Sequence, residues 1–548
     1  MLAAVRWETA VRAFAARTRL AMAALFLLPI VLRLALLPHA PVPVPRTPDD
    51  FSFALLGDTL AHGRMANPAH PMHRFFETNF VIQEPSYSSI YPLGQGIALA
   101  FGQMVFHQPW AGVAVCAGLF CALCYWTLRG WTSPLWALAG GLLGVFQFGP
   151  LQYWMNTYWG GSLAAAGGCL IFGSLPRLRA RSRPRDAALL GLGLAVGWLT
   201  RPFETVLVAL GVLLFQAVCF RGNWRGLRHT AAIAALVFLP AAALSLMQNR
   251  QVTGSWTTLP YMLAQYQYGV PASFTFQPVP TPHRALTQEQ KNFYDLQASV
   301  HGGAPDSVSA FIGRLWQRVR IYRFFFSVPL FLALPAFVLA LRRPRYLWVV
   351  LWLAILALGT NFYPYFYPHY IAGGACLFVL AAVTALEQVS RWSRESALLL
   401  FVVCVTQFLF WFGLHLFAGW EPALALTERY ETWDYVNHGD PEGRIAIDHL
   451  LAQAPGKQLV FVRYGPQHGL SQWVANAADI DAATVVRALD LGDAENQKLL
   501  HYYPDRTAWL LEPDARPPLL SRYTPEAPAP PPRNQSPFEE VPNAPVTP

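Results

Sequence analysis

At 548 residues, with 54% hydrophobic, 14% aromatic and only 13% charged side chains, this chain is too apolar for an ordinary water-soluble enzyme. Its formal charge of +9 does not point to nucleic acid, because the arginines fall in short clusters between apolar runs. The seven cysteines (Cys116, Cys121, Cys124, Cys169, Cys219, Cys376, Cys404) all sit inside apolar runs, so neither a disulfide framework nor a zinc site is implied.

The first nineteen residues carry Arg6, Arg12, Arg17 and Arg19 ahead of a long apolar stretch and read as a cytoplasmic interfacial amphipathic segment before an uncleaved first span. Apolar runs long enough to cross a bilayer lie near 18–38, 110–128, 134–151, 159–175, 187–201, 203–220, 229–247, 323–341, 346–361, 369–386 and 397–418, eleven in all. Loops rich in arginine (Arg129; Arg177 to Arg185; Arg221 to Arg228; Arg342 to Arg345; Arg391 and Arg394) alternate with loops that are not, and the positive-inside rule places them in the cytoplasm. The loops 39–109 and 248–322 then lie outside, within a transmembrane domain spanning 20–419. Parity makes 187–220 a hairpin with Arg201 and Glu204 at its outer tip. It also makes 93–106 re-entrant or interfacial.

Beyond residue 420 the composition changes. LVFVRY (459–464), ATVVRALDL (483–491) and TAWLL (507–511) read as strands, with a helix near 494–503, which predicts a small extracytoplasmic α/β domain over 420–512. The Pro-rich stretch 513–548 reads as disordered. The expected fold class is therefore a polytopic α-helical membrane protein with a C-terminal α/β domain.

The polar segment Thr47–Gly96 follows the first span directly and concentrates Asp49, Asp50, Asp58, Glu77, Glu84, His62, His70 and His73 against the membrane. It is the first candidate for chemistry. Asp49 and Asp50 have two readings: a helix N-cap after Pro48, or a general base whose pKa a second carboxylate raises. Tyr91, in the turn SIYPLGQG, is placed to face such a site. In QYWMNTYWGG (152–161), Asn156, Tyr158 and Trp159 either form an interfacial aromatic belt or line a sugar pocket. Arg201 and Glu204 are either an ion pair or a phosphate-binding arginine with a polar neighbour. In NFYPYFYPHY (361–370), His369 and Tyr370 are either belt residues, donors to a phosphate or metal ligands, although a lone His does not make a metal site. No Walker A, zinc-protease, calcium-loop or dinucleotide fingerprint is present.

Together, a first span, an outer loop opening on an acidic pair, a Tyr-Pro turn returning to the membrane, around eleven spans and an outer C-terminal domain resemble the GT-C membrane glycosyltransferases. The likeness covers roughly residues 20–420 and is nearest the protein O-mannosyltransferase, aminoarabinose transferase and RgtA/B/C/D-like branch. PDDFSF, YWMNTYWGG and FYPHY are similar to a largely uncharacterised bacterial subgroup. The resemblance implies transfer of a sugar from a polyprenyl-phosphate donor to a lipid, glycan or protein acceptor on the outer face of a bacterial cytoplasmic membrane. It maps a general base onto Asp49 or Asp50 and the basic group near the donor phosphate onto Arg201 or His369; the residues themselves add Tyr370 as a phosphate donor and Tyr91, Asn156, Tyr158, Trp159 and Glu204 as substrate contacts. No cofactor is firmly implied, a divalent metal is admissible, and nucleic acid is no partner. Two departures stand out: Ile90 and Leu93 flank Tyr91-Pro92 where relatives often carry Lys and a second Pro, and His369 replaces an arginine frequent in the last-loop motif. A flippase of lipid-linked sugars, without transfer, is the alternative activity.

Overall fold

The computed structural model describes residues 2–219, 224–302, 306–417, 426, 442–466 and 468–524. Helices dominate. An N-terminal α1 (Leu2–Ala16) leads into α2 (Thr18–Ala35), followed by α3 (Pro48–Ala61), α4 (Leu93–Phe106), α5 (Pro109–Leu128), α6 (Pro134–Phe148), the short α7 (Tyr153–Asn156), α8 (Ser162–Ala180), α9 (Pro184–Thr200), α10 (Pro202–Cys219) and α11 (Trp224–Thr253). The second outer segment holds α12 (Pro260–Tyr268), α13 (Gln288–His301) and α14 (Val308–Tyr322). After a one-turn α15 (Phe337–Ala340) come α16 (Pro344–Thr360), α17 (Ala375–Trp392) and α18 (Arg394–Phe417). Among the described residues, five helical stretches are long and apolar enough to cross a membrane: Thr18–Ala35, Pro109–Leu128, Trp224–Thr253, Pro368–Trp392 and Arg394–Phe417. This is a multi-pass membrane protein.

The stretch 323–341 departs from a regular span. It is a string of 3₁₀ turns, Arg323–Phe325, Val328–Leu332 and Leu334–Ala336, before α15. Pro329 and Pro335 explain this, since each removes a backbone donor and clashes with the preceding turn. The block 187–220 is two helices meeting at Arg201, as the hairpin reading requires. Helix α4 has only 14 residues, about 21 Å of rise, too short to span unaided. Its Leu93, Gly94, Gln95, Gly96 and Leu99 are buried, while Ile97, Phe101, Met104 and Val105 are exposed along its other side.

A buried arginine in the first span fastens the bundle to the outer loop. Arg33 of α2 donates from Nε to Asn156 Oδ1 at 2.7 Å and from its two terminal nitrogens to the carbonyls of Ala40 at 3.0 Å and Pro41 at 2.8 Å. Its guanidinium lies 5.1 Å from the Trp110 ring centroid. A charged group at that depth is tolerated because every contact satisfies it.

The C-terminal region contains α19 (Arg444–Gln453), β4 (Lys457–Val462), β5 (Val485–Leu489), α20 (Asp493–Tyr502), β6 (Arg506–Glu512) and β7 (Leu519–Arg522), after the short loop strands β1 (Asn67–Pro68), β2 (Val81–Ile82) and β3 (Ser86–Ser89). Its sheet runs β5-β4-β6-β7, with β4 parallel to both neighbours and β7 antiparallel to β6. The disorder expected from residue 513 does not hold at the start of that stretch: Leu519 and Leu520 pair with Glu512 and Leu511 and extend the sheet. The remainder of that tail, 525–548, lies outside the described residues, as do 427–441 at the start of the expected domain.

This sheet is not tethered loosely. Leu459, Phe461, Ile480 and Val486 share a buried cluster with Leu55 of α3 and with Phe75, Phe76, Val81 and Tyr87 of the outer loop. Polar contacts add register: Ala478 N donates to Asp58 Oδ2 at 2.7 Å, Gln472 N to the Arg46 carbonyl at 2.9 Å, and Tyr87 OH to the Asn476 carbonyl at 3.1 Å. Histidine His70 reaches Asp481 Oδ1 at 3.1 Å. The carboxylates Glu77 and Glu84 converge on Arg284, at 2.5 and 2.7 Å, and so tie the first outer loop to the second.

One close approach positions the last outer loop. A Cβ at Gly168 of α8 would stand 1.8 Å from the Gly373 carbonyl, in the 3₁₀ turn Pro368–Gly374 that carries His369 and Tyr370. Gly168→Leu is expected to cost about 1–3 kcal/mol through overpacking, read as a lowered thermal unfolding midpoint of the protein in detergent. Gly313→Leu is the control, because its Cβ meets nothing within 4 Å and the midpoint should not fall.

Candidate active site

Helix α3 begins on the acidic pair, and the structure treats its two members differently. Thr47 is the N-cap, with Pro48 in the first turn. Asp50 completes a capping box: its Oδ2 accepts from Arg46 N at 3.2 Å, Thr47 N at 3.2 Å and Thr47 Oγ1 at 3.0 Å. Its Oδ1 accepts from Tyr158 N at 2.9 Å. Both oxygens of this buried carboxylate are thus occupied by four donors. Burial pushes its pKa up and those hydrogen bonds pull it back.

Asp49 is the contrasting case. It is half-buried, and Oδ1 accepts the hydroxyl proton of Tyr91; among the described residues no other side chain donates to this carboxylate. Burial pushes its pKa up to about 6, with the Tyr91 hydrogen bond opposing, the Asp50 charge adding and the Arg201 charge opposing. The Tyr91 ring is itself fixed, stacked on Phe53 of α3 at 4.0 Å between centroids, and its carbonyl accepts from Gln248 of α11 at 2.8 Å.

Arg201 stands across this site at the α9–α10 junction. Its guanidinium lies over the Tyr370 ring at 4.6 Å, and its charge acts on Asp49, Tyr91, Tyr363, Tyr370 and Glu204. Among the described residues its guanidinium makes no hydrogen bond, so its donors are available. Glu204 is buried and leaves Oε1 without a hydrogen-bond partner. The two residues are neighbours by charge, yet the arginine is oriented by the aromatic ring.

His369 is held firmly. Its backbone N–H donates to Tyr153 OH at 3.0 Å, and that hydroxyl lies 3.1 Å from Nδ1. If the hydroxyl proton goes to Nδ1, the neutral ring carries its own proton on Nε2. Trp159 packs 5.8 Å from His369 and donates from Nε1 to Thr47 Oγ1 at 2.9 Å, linking the last loop to the cap of α3.

Of the residues singled out from sequence, Asp49, Tyr91, Arg201, Glu204 and Tyr370 converge, with His369 and Trp159 at the edge. Asn156 and Tyr158 serve another purpose. Asn156 accepts from Arg33 and donates to the Pro150 and Gln152 carbonyls at 2.9 and 2.8 Å. Tyr158 is buried, with its hydroxyl donated to the Pro43 carbonyl at 3.0 Å. These two buttress the loop from behind and have no polar group left for a ligand. Conversely, Tyr261 and Tyr363, whose rings carry charge interactions with Arg201 and Glu204, were not singled out. Their signal was available in Pro260-Tyr261, opening a helix, and in the same FYPYFYP run as His369.

Among the described residues no three His, Cys, Asp or Glu side chains converge on a point. At this site the donor set does not build a metal centre: Asp50 has no free oxygen, and a guanidinium faces Asp49. The unequal environments predict unequal consequences. Asp50→Asn puts an amide N–H₂ against backbone donors and is expected to cost about 1–3 kcal/mol, lowering the unfolding midpoint. Asp49→Asn should leave that midpoint unchanged or raise it.

No family model matches this chain, and no curated protein sequence matches it. Solved structures do. ArnT from Cupriavidus metallidurans in the apo state superimposes with a TM-score of 0.50 at 14% identity, covering 93% of each chain. The same protein bound to undecaprenyl phosphate gives a TM-score of 0.48 at 14% identity, over 89% of this chain and 92% of that one. The Archaeoglobus fulgidus oligosaccharyltransferase complexed with Zn and sulfate gives 0.47 at 10% identity, over 88% of this chain and 67% of that one. The chain shares the fold of ArnT over 93% of its length.

Proposed function

We propose that this protein is a membrane glycosyltransferase that moves a sugar from a polyprenyl-phosphate donor to an acceptor hydroxyl. The observation that carries the reading is the division of labour within the acidic pair: Asp50 is saturated, while Asp49 keeps an unengaged oxygen opposite an unengaged Arg201. The shared fold with ArnT is consistent with it.

The chemistry follows from charge. As the anomeric C–O bond to the lipid phosphate breaks, negative charge grows on the phosphate oxygen and positive charge on the anomeric carbon. Arg201 donates to the departing phosphate, with Tyr370 beneath it to hold its plane and His369 Nε2–H as a second donor nearby. Asp49 Oδ2 accepts the proton of the acceptor hydroxyl as that oxygen bonds to the anomeric carbon. Attack from the face opposite the leaving phosphate inverts the anomeric configuration. Tyr91 holds Oδ1, so the carboxylate presents its other oxygen in a single orientation. No step runs through a metal.

Taking the arginine-rich loops as cytoplasmic, we place the reaction on the outer face of what we read as a bacterial cytoplasmic membrane. There the donor's polyprenyl chain stays in the bilayer while its head group reacts. A cation and a carboxylate at this boundary, rather than at the midplane, favour transfer over flipping.

The test is the pH dependence of polyprenyl phosphate release from a polyprenyl-phosphate sugar by the protein in lipid. A general base works only when ionised, and an ordinary aspartate titrates near 3.9. With its pKa at about 6, Asp49 is protonated below that value, so turnover should fall about tenfold per unit below pH 6 and level off above it. A profile flat from pH 7 down to pH 5 would remove Asp49 from the role.

A further inference from the structure

A cavity whose lining does not include Arg201 lies in the angle between the C-terminal sheet and the second outer segment. It has a volume of about 590 Å³, inside the range typical of small-ligand sites, about 300–1,000 Å³. One wall is α13, through Glu289, Asn292 and Phe293. The other is the carboxyl end of the parallel strands β4 and β5, through Arg463, Tyr464 and Leu489, and crevices at the carboxyl ends of such strands are where open α/β sheets receive ligands. The cavity also reaches Pro48, the residue immediately before Asp49.

Several features suit a ligand. Glu289 accepts from Asn79 Nδ2 at 3.2 Å through Oε1, while its Oε2 is buried with no hydrogen-bond partner. Burial pushes its pKa up to about 8, so near neutral pH it is largely the protonated acid, and a buried carboxyl group costs free energy unless something pairs with its free oxygen. Tyr464 is held rigidly, its hydroxyl receiving Trp473 N at 2.9 Å and Val474 N at 3.0 Å, with its ring packed on His468 at 4.1 Å. Arg463 is oriented by Asp490 at 2.6 Å. The walls thus combine planar amide, carboxyl and guanidinium groups, which can engage adjacent hydroxyls, with two aromatic rings, Phe293 and Tyr464, against which the C–H face of a pyranose packs.

We infer that this cavity binds the acceptor, and that the acceptor group is a pyranose sugar. The inference rests on the transferase reading above for the word acceptor, and on the cavity alone for the word sugar. An extended peptide is the less suitable occupant, since peptides that add to sheets run along a strand edge, whereas this cavity opens at strand ends. The sugar can belong to a soluble glycan or to a lipid-anchored one, because the same hydroxyls are presented in both.

The test is binding of the full-length protein in detergent to an array of immobilised soluble glycans, repeated with the same glycans on a lipid anchor in vesicles. Asn292 is exposed on α13, so Asn292→Trp fills the cavity without disturbing the fold, and Asn292→Ala removes an amide only. Wild-type binding to a saccharide class in either format, weakened tenfold or more by Asn292→Trp and less by Asn292→Ala at an unchanged unfolding midpoint, is the expected result. Binding to no saccharide in either format, or equal binding by wild type and Asn292→Trp, overturns the inference. Asp49→Asn separates the two claims: it should retain saccharide binding after losing transfer. Loss of transfer alone therefore speaks to the chemistry, and loss of binding alone to the cavity.

Discussion

The arrangement depends on how the Asp50 carboxylate is spent. Four hydrogen bonds from Arg46, Thr47 and Tyr158 join the start of α3, the chain arriving from the first span and the turn between α7 and α8. An anion at a helix N-terminus is favoured by the unpaired amides and the helix dipole. Because its neighbour does this work, Asp49 is carried on a rigid first turn with one oxygen unengaged. Thr47 extends the same network to Trp159, and through Trp159 to the loop of His369. A pair of adjacent carboxylates is therefore a support and a reactive group, not two equivalents.

Around that core, the protein assembles one site from segments far apart in sequence. Arg33, at the depth of the first span, grips the chain where it leaves the membrane and, through Asn156, the turn at 153–156. Gly168 lets the turn bearing His369 and Tyr370 come within backbone contact of α8. The C-terminal sheet packs directly on α3 and its loop, with Arg444 stacked between Phe51 and Trp473 at 4.8 and 4.2 Å. Through Phe51, next to Asp50, that domain touches the element that carries the acidic pair. It packs on the helix that carries the acidic pair and is not an appendage.

Much of this was legible before any coordinates. Apolar runs, arginine clusters and parity placed the helices and the hairpin at Arg201, because burial in lipid imposes a length and a charge asymmetry that sequence records directly. The strands of the C-terminal domain were equally plain. Three things were not. The run 323–341 has the composition of a span, but its prolines break the helix. Asn156 and Tyr158 have the composition of a sugar pocket, yet their polar atoms face inward, toward Arg33 and Pro43, and no local pattern tells which way a side chain points. Arg33 itself carried a signal that was passed over: an arginine inside a membrane span calls for partners. The partition of Asp49 from Asp50 could not be read from two adjacent letters, since it is decided by Tyr158 and Arg46, which reach the site only in the folded chain.

The most direct measurement is single-turnover release of polyprenyl phosphate from polyprenyl-phosphate sugars by the protein in lipid bilayers, comparing wild type with Asp49→Asn. Release by the wild type, with at least a hundredfold loss in a variant whose unfolding midpoint is unchanged, is the predicted result, about 2.7 kcal/mol of barrier or more at 25 °C. Equal release by both proteins would contradict the account, because the reaction would then not require the one carboxylate oxygen that the structure leaves free.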